Sequence, residues 1–171
     1  AVSSVILVLS LLPLSAKDQA VIHEEESLYG HLQVREDRSG RKLILNSPYS
    51  LQSIDAKLAR RSPHQIWSRA PGLSKLKPWE AEPDKALILG LGAGSMVGPL
   101  QRTHPEAQIV GVEIDPRVIA IAREYFDLDL PRDRVFAMDA RKFIRATDER
   151  FDLVILDAYR PPTIPYHLAT K

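Results

Sequence analysis

The chain has 171 residues, 23 basic against 22 acidic for a formal net charge of +1, and no cysteine. That length suits one domain or one domain with a small extension, able to bury roughly 70% of the surface it exposes when unfolded. Without cysteine there is no zinc–thiolate or cysteine-nucleophile chemistry, and near-neutral charge gives no global electrostatic case for nucleic acid as a partner.

Residues 1–16, "AVSSVILVLSLLPLSA", are apolar or small, and the first charge is Lys17. The run is shorter than the about 20 residues a bilayer-spanning helix needs. It reads as an apolar leader, either a signal-peptide core or the remnant of a membrane segment, outside the catalytic core. A buried strand or helix is the alternative. The expected location is the cytoplasm or the cytoplasmic face of a membrane, with attachment through this segment, or export if it is a signal-peptide core. Both ends of the chain look cut.

Residues 17–67 form a second unit, a β-hairpin region. Residues 17–30 are polar and acidic and read as a connector. "HLQVRED" and "RKLILN" are short β-prone runs around "DRSG", which predicts a hairpin at about 31–36 and 42–46. Residues 47–66 are ambiguous, with weak helical spacing in "IDAKLARR". Residues 68–84 hold four prolines or glycines and read as a linker.

From residue 85 to residue 171 strand and helix patterns alternate. "ALILGL" is a continuous apolar run, as in a strand covered on both faces. "SMVGPLQRTH" predicts a helix from Ser95 with Pro99 in its first turn, and "QIVGVEI" a second strand. "DPRVIAIAREYF" predicts a helix with Asp115 as N-cap and Pro116 first, its inner face carrying Val118, Ile121, Ala122 and Tyr125. "RVFAMDA", "RKFIRATDE" and "FDLVILDAY" predict strand, helix and strand. The alternation implies an α/β, Rossmann-like parallel sheet, incomplete with only four core strands visible.

Ligands of such sheets bind at the carboxyl ends of the strands. Four such ends carry polar or glycine residues: Gly90 to Gly94, Glu113 to Asp115, Asp139-Ala140, and Asp157. Gly90, Gly92 and Gly94 are spaced G-x-G-x-G. A dinucleotide fingerprint, G-x-G-x-x-G, would need glycine at Ser95 or Val97. The observed spacing favours an adenosyl-sulfonium ligand over NAD. Glu113, 19 residues after Gly94, suits the ribose hydroxyls, while Asp115 suits the helix N-terminus. Asp139 can accept from an adenine amino group with the Ala140 N–H meeting a ring nitrogen, and can also cap "RKFIR".

"LILGLGAGS", "VGVEIDPRVIAIAREYF", "VFAMDARKFI" and "FDLVILDAYRPPTIPYHLATK" resemble the spermidine synthase (polyamine aminopropyltransferase) family, in its divergent bacterial branch. "ESLYGHLQVRED" and "RKLILN" resemble that family's N-terminal hairpins, so the likeness covers about residues 25–171. The Glu-Ile-Asp-Pro and Asp-Ala elements are shared with class I methyltransferases. The resemblance implies a class I methyltransferase-type sheet, C-terminally truncated. It implies decarboxylated S-adenosylmethionine or S-adenosylmethionine as co-substrate, no metal, and a small-molecule amine as acceptor. It implies Asp157 as the carboxylate that deprotonates the amine and Gln52 near the donor, while Tyr159 is the candidate to line a replacement acceptor pocket, with His167 facing it. A homodimer is a further expectation.

The departures from that family are specific. Its Asp-Ser-Ser-Asp-Pro loop is here Asp157-Ala158-Tyr159-Arg160-Pro161, and Ala93 stands where the family has an aspartate. No tyrosine lies between Gln52 and the first core strand, where the family has one, and His64 and Trp67 are the ring-bearing candidates to replace it. Arg160 argues against an ordinary diamine as acceptor. Two other readings stay open: methyl transfer from the intact donor, which Ala93 permits, and a donor-binding relic without activity.

Overall fold

The computed structural model describes residues 19–48, 50–55 and 83–158. The apolar leader, most of the linker, the greater part of "IDAKLARR", and His64, Trp67, Tyr159, Arg160 and His167 lie outside the described residues.

Two four-stranded sheets make up the described chain. The first is an antiparallel meander of β1 (Ala20–Glu26), β2 (His31–Asp37), β3 (Gly40–Leu45) and β4 (Leu51–Ile54), in that spatial order. The expected hairpin is β2–β3, closed at the Asp37–Gly40 pair. In β2 the buried residues Leu32 and Val34 alternate with His31, Gln33 and Arg35, the period of a strand with one covered face.

Residues 17–30 are not simply a connector, because β1 occupies half of that stretch. Its acidic character reflects an outward face. Glu24 and Glu26 accept from the ring nitrogens of His31 at 2.7 Å each, and Glu24 also accepts from Gln33 at 2.7 Å. Cross-strand pairs of this kind support an edge strand whose composition alone resembles a loop. β4, within the stretch that sequence left ambiguous, is only four residues long and pairs with β3.

The second sheet is parallel. It is built from β5 (Lys85–Leu89), α1 (Val97–Thr103), β6 (Gln108–Glu113), α2 (Pro116–Tyr125), β7 (Val135–Ala137), α3 (Ala140–Ala146) and β8 (Leu153–Leu156). The strand order is β7-β6-β5-β8. Ala86 to Leu89 of the inner strand β5 are all buried, as expected for a strand covered on both faces. The Asp115 carboxylate caps α2 by accepting from the Arg117 N–H at 2.9 Å. α1 starts at Val97 rather than Ser95, with Pro99 in its first turn. α3 starts at Ala140 and ends at Ala146, and β7 is shorter than expected. No helix among the described residues is long and apolar enough to cross a membrane.

Leu32, Val34, Leu43 and Ile54 of the first sheet share one hydrophobic cluster with Ile88, Leu100, Ile121 and Ala122 of the second. A second cluster, including Leu87, Leu89, Val110, Val112 and Phe143, fills the other face of the parallel sheet. The two sheets are also hydrogen-bonded. The Ser95 hydroxyl accepts from the Ile54 N–H at 2.9 Å and donates to the Ile54 carbonyl at 2.7 Å. The Ser53 hydroxyl accepts from the Ala93 N–H at 2.9 Å.

Ser95→Ala removes the side-chain partner of both Ile54 backbone groups in a buried position. The expected loss is about 1–3 kcal/mol of stability, read as a lower urea midpoint at unchanged slope.

Candidate functional site

The carboxyl ends of β5, β6, β7 and β8 lie along one edge of the parallel sheet. After β5 the chain turns sharply, and the Gly90 and Leu91 N–H groups both donate to the Val112 carbonyl, at 2.9 and 3.0 Å. Gly90, Gly92 and Gly94 take φ of +87°, +53° and +84°. Close approach adds to the requirement for glycine. A Cβ on Gly90 would stand 2.6 Å from the Ala158 backbone nitrogen, and one on Gly92 would stand 2.6 Å from the Ser53 hydroxyl.

The first of these contacts places Asp157. Its N–H donates to the Leu89 carbonyl at 2.8 Å, so β8 leaves the sheet directly across the start of the glycine turn. The second places Gln52, whose carbonyl lies 3.9 Å from the Cβ position of Gly92, while its side-chain amide donates to the Ser50 hydroxyl at 3.1 Å.

Glu113 ends β6. One carboxylate oxygen accepts from the Gly92 N–H at 2.9 Å and the other from the Asp115 N–H at 3.1 Å. Burial pushes its carboxyl above the ordinary range, and the nearby Asp115 carboxylate adds to this. The N–H groups of Gly92, Asp115 and Ile114 pull the other way, and burial prevails. Glu113 thus joins the glycine turn to the start of α2.

Asp139 sits at the end of β7 and caps α3 by accepting from the Lys142 N–H at 3.0 Å. The preceding Met138 N–H donates to the Glu113 carbonyl at 2.9 Å, which sets Asp139 and Ala140 beside the end of β6. The site residues Gly90, Gly92, Gly94, Glu113, Asp139, Ala140 and Asp157 therefore share one edge, and Gln52 reaches it from the first sheet. The Ala93 methyl is buried in the cluster between the sheets. Among the described residues no group of three or more His, Asp or Glu side chains is arranged to hold a metal ion.

Sequence reasoning missed three residues. Ser53 and Ser95 hold the turn against β4, and no motif marks them. Ile114, the last residue of the run "QIVGVEI", lies just past β6 and is 40% exposed. An apolar side chain between two acids at a strand end was the available signal. Such a residue offers a flat ligand an apolar surface beside a hydrogen-bonding carboxylate.

A family profile described as "Methyltransferase domain" matches residues 86–165. The "Probable polyamine aminopropyl transferase" of Bifidobacterium longum is 32% identical over 152 residues, covering 86% of this chain and 32% of that protein. The "Polyamine aminopropyltransferase" of Vibrio vulnificus is 29% identical over 184 residues, covering 99% of this chain and 60% of that one. Among solved structures, spermidine synthase from Thermotoga maritima superposes with a TM-score of 0.66 at 21% identity, covering 88% of this chain and 50% of that one. A spermidine synthase in complex with the transition state analogue AdoDATO gives 0.65 at 22% identity, with the same coverage. The chain thus spans about half the length of those solved chains.

Gly90→Ala would force a positive φ on an L-residue and drive its methyl into the Asp157–Ala158 backbone. The expected cost is about 2–4 kcal/mol, measured by urea denaturation. Gly98→Ala, inside α1 and 3.4 Å from only a flexible arginine tip, should be neutral or stabilising in the same assay.

Proposed function

We infer that this chain, which belongs to the spermidine synthase family within the class I methyltransferase fold, carries the donor-binding half of an aminopropyltransferase. The observation that carries the reading is the bond from the Gly92 N–H to the Glu113 carboxylate. It joins a glycine turn, which lets a ligand approach the backbone, to an acid that can accept from vicinal hydroxyls. The exposed Ile114 supports an aromatic base next to that acid. The chemistry of these groups fits decarboxylated S-adenosylmethionine as donor, with Asp139 and the Ala140 N–H toward the adenine edge.

The transfer needs little from the protein beyond alignment and a proton acceptor. The amine nitrogen forms a bond to the carbon attached to sulfur. The C–S bond breaks, and its electron pair stays on sulfur as a neutral thioether. The proton leaves nitrogen for a carboxylate, the role proposed for Asp157. Its backbone position across the start of the glycine turn supports that role. The acceptor is a small amine other than an ordinary diamine, since Arg160 brings a cation three residues after Asp157 in the sequence.

Glu113→Ala should weaken methylthioadenosine binding roughly 10- to 150-fold, the worth of charge-assisted bonds of about 1.5–3 kcal/mol. Calorimetry showing unchanged affinity would end the ribose assignment. Titration with the decarboxylated and the intact donor separates aminopropyl from methyl transfer.

In the full-length parent protein, Asp157→Asn should lower kcat by about 10²–10⁴ with any accepted amine. Undiminished turnover would remove Asp157 from the chemistry. Efficient turnover of putrescine, against spermidine and neutral or acidic amines, would overturn the acceptor proposal.

A further inference from the structure

We propose that Glu25 and Arg117 are positioning residues for Glu113: their ion pair ties β1 to the first turn of α2 and so fixes the segment from Glu113 to Asp115. The inference rests on the reading of Glu113 as the acid that binds the donor.

The first turn of α2 holds no acidic residue, and Arg117 is its second helical residue. A cation there faces the positive end of the helix dipole and is unfavourable unless compensated. Glu25 of β1 supplies the compensation from 92 residues away. The Arg117 Nε donates to one Glu25 oxygen at 2.9 Å, and Nη2 donates to the other at closer range. A two-pronged pair of this kind fixes orientation as well as distance. The Glu25 side chain is only 16% exposed, and the Arg117 hydrogen bond holds its carboxyl below the ordinary range, so it stays charged.

From Arg117 the connection to the donor site is continuous. The Arg117 N–H donates to Asp115 at 2.9 Å, the Asp115 N–H to Glu113 at 3.1 Å, and the Gly92 N–H to the other Glu113 oxygen at 2.9 Å. The far end of α2 is gripped as well. The His23 ring packs on Tyr125 with centroids 5.1 Å apart, and Arg41 Nη1 donates to the Tyr125 carbonyl at 2.9 Å. The first sheet therefore holds α2 at both ends. Only the Glu25–Arg117 end leads into the segment that carries Glu113.

The test compares the wild-type chain, Glu25→Gln, the exchanged pair E25R/R117E, and Glu149→Gln. The last removes the exposed Lys85–Glu149 pair elsewhere on the protein. Amide hydrogen exchange is followed at Gly92 and Asp115, whose N–H groups both point at the Glu113 carboxylate, and at Ile88 and Val110 in the sheet interior. Methylthioadenosine affinity is measured on the same samples. Glu25→Gln should speed exchange at Gly92 and Asp115 while leaving Ile88 and Val110 unchanged. It should weaken methylthioadenosine binding about two- to fivefold, the range a partly exposed ion pair can support. The exchanged pair should recover most of both losses, and Glu149→Gln should change neither.

Unchanged exchange at Gly92 and Asp115 in Glu25→Gln would overturn the proposal. So would acceleration spread equally over Ile88 and Val110, or no recovery in the exchanged pair. If the wild-type chain does not bind methylthioadenosine, the donor assignment fails by itself, and the exchange pattern still decides whether the pair positions Glu113.

Discussion

Between β4 and the turn after β5, three hydrogen bonds run through two serine hydroxyls in the interior of the protein. Each satisfies backbone groups that neither sheet can satisfy by its own ladder. A buried N–H or carbonyl without a partner costs of the order of a kilocalorie or more, so the two serines determine how closely the sheets can pack. The small side chains matter as much as the bonds. Ser53 stands where a Cβ on Gly92 would have to go. The glycine spacing is thus a condition of sheet docking in its own right.

The same contact shapes the electrostatics of the site. With the turn fixed, the Gly92 N–H is aimed at Glu113, and the carboxylate is held in a half-buried position. Its proton affinity rises because water is excluded, while backbone N–H groups restore part of what is lost. An acid in that state gains more from ligand hydroxyl groups than an exposed one would, since they replace solvent it has already given up.

Much of this arrangement was legible in the sequence, for identifiable reasons. Continuous apolar runs mark β5 and β6, and Asp115-Pro116 marks the start of α2, because cap and helix signals are local. The likeness to aminopropyltransferases rested on residues at strand ends, and the comparisons agree with it. What sequence did not reveal depends on distant partners. β1 looked like a connector because its charges are matched across the sheet by His31 and Gln33, not by its neighbours in the chain. Ser95 looked like a missing third glycine, and its partner Ile54 is 41 residues away. A wrong-signed charge such as Arg117 at a helix start shows that a partner exists without showing where.

These separations also bear on how the molecule reaches its native state. The Ser53–Ala93 bond closes a gap of 40 residues and the Glu25–Arg117 pair one of 92. Contacts that distant must overcome loop-closure entropy before they return any stabilisation, and they form late. Local hairpins and βα units can assemble beforehand, but the glycine turn acquires its final shape only when the first sheet docks. Secondary structure should therefore recover sooner than the final shape of the glycine turn during refolding. Any ligand that recognises the finished turn would bind only the docked form and draw the population toward it.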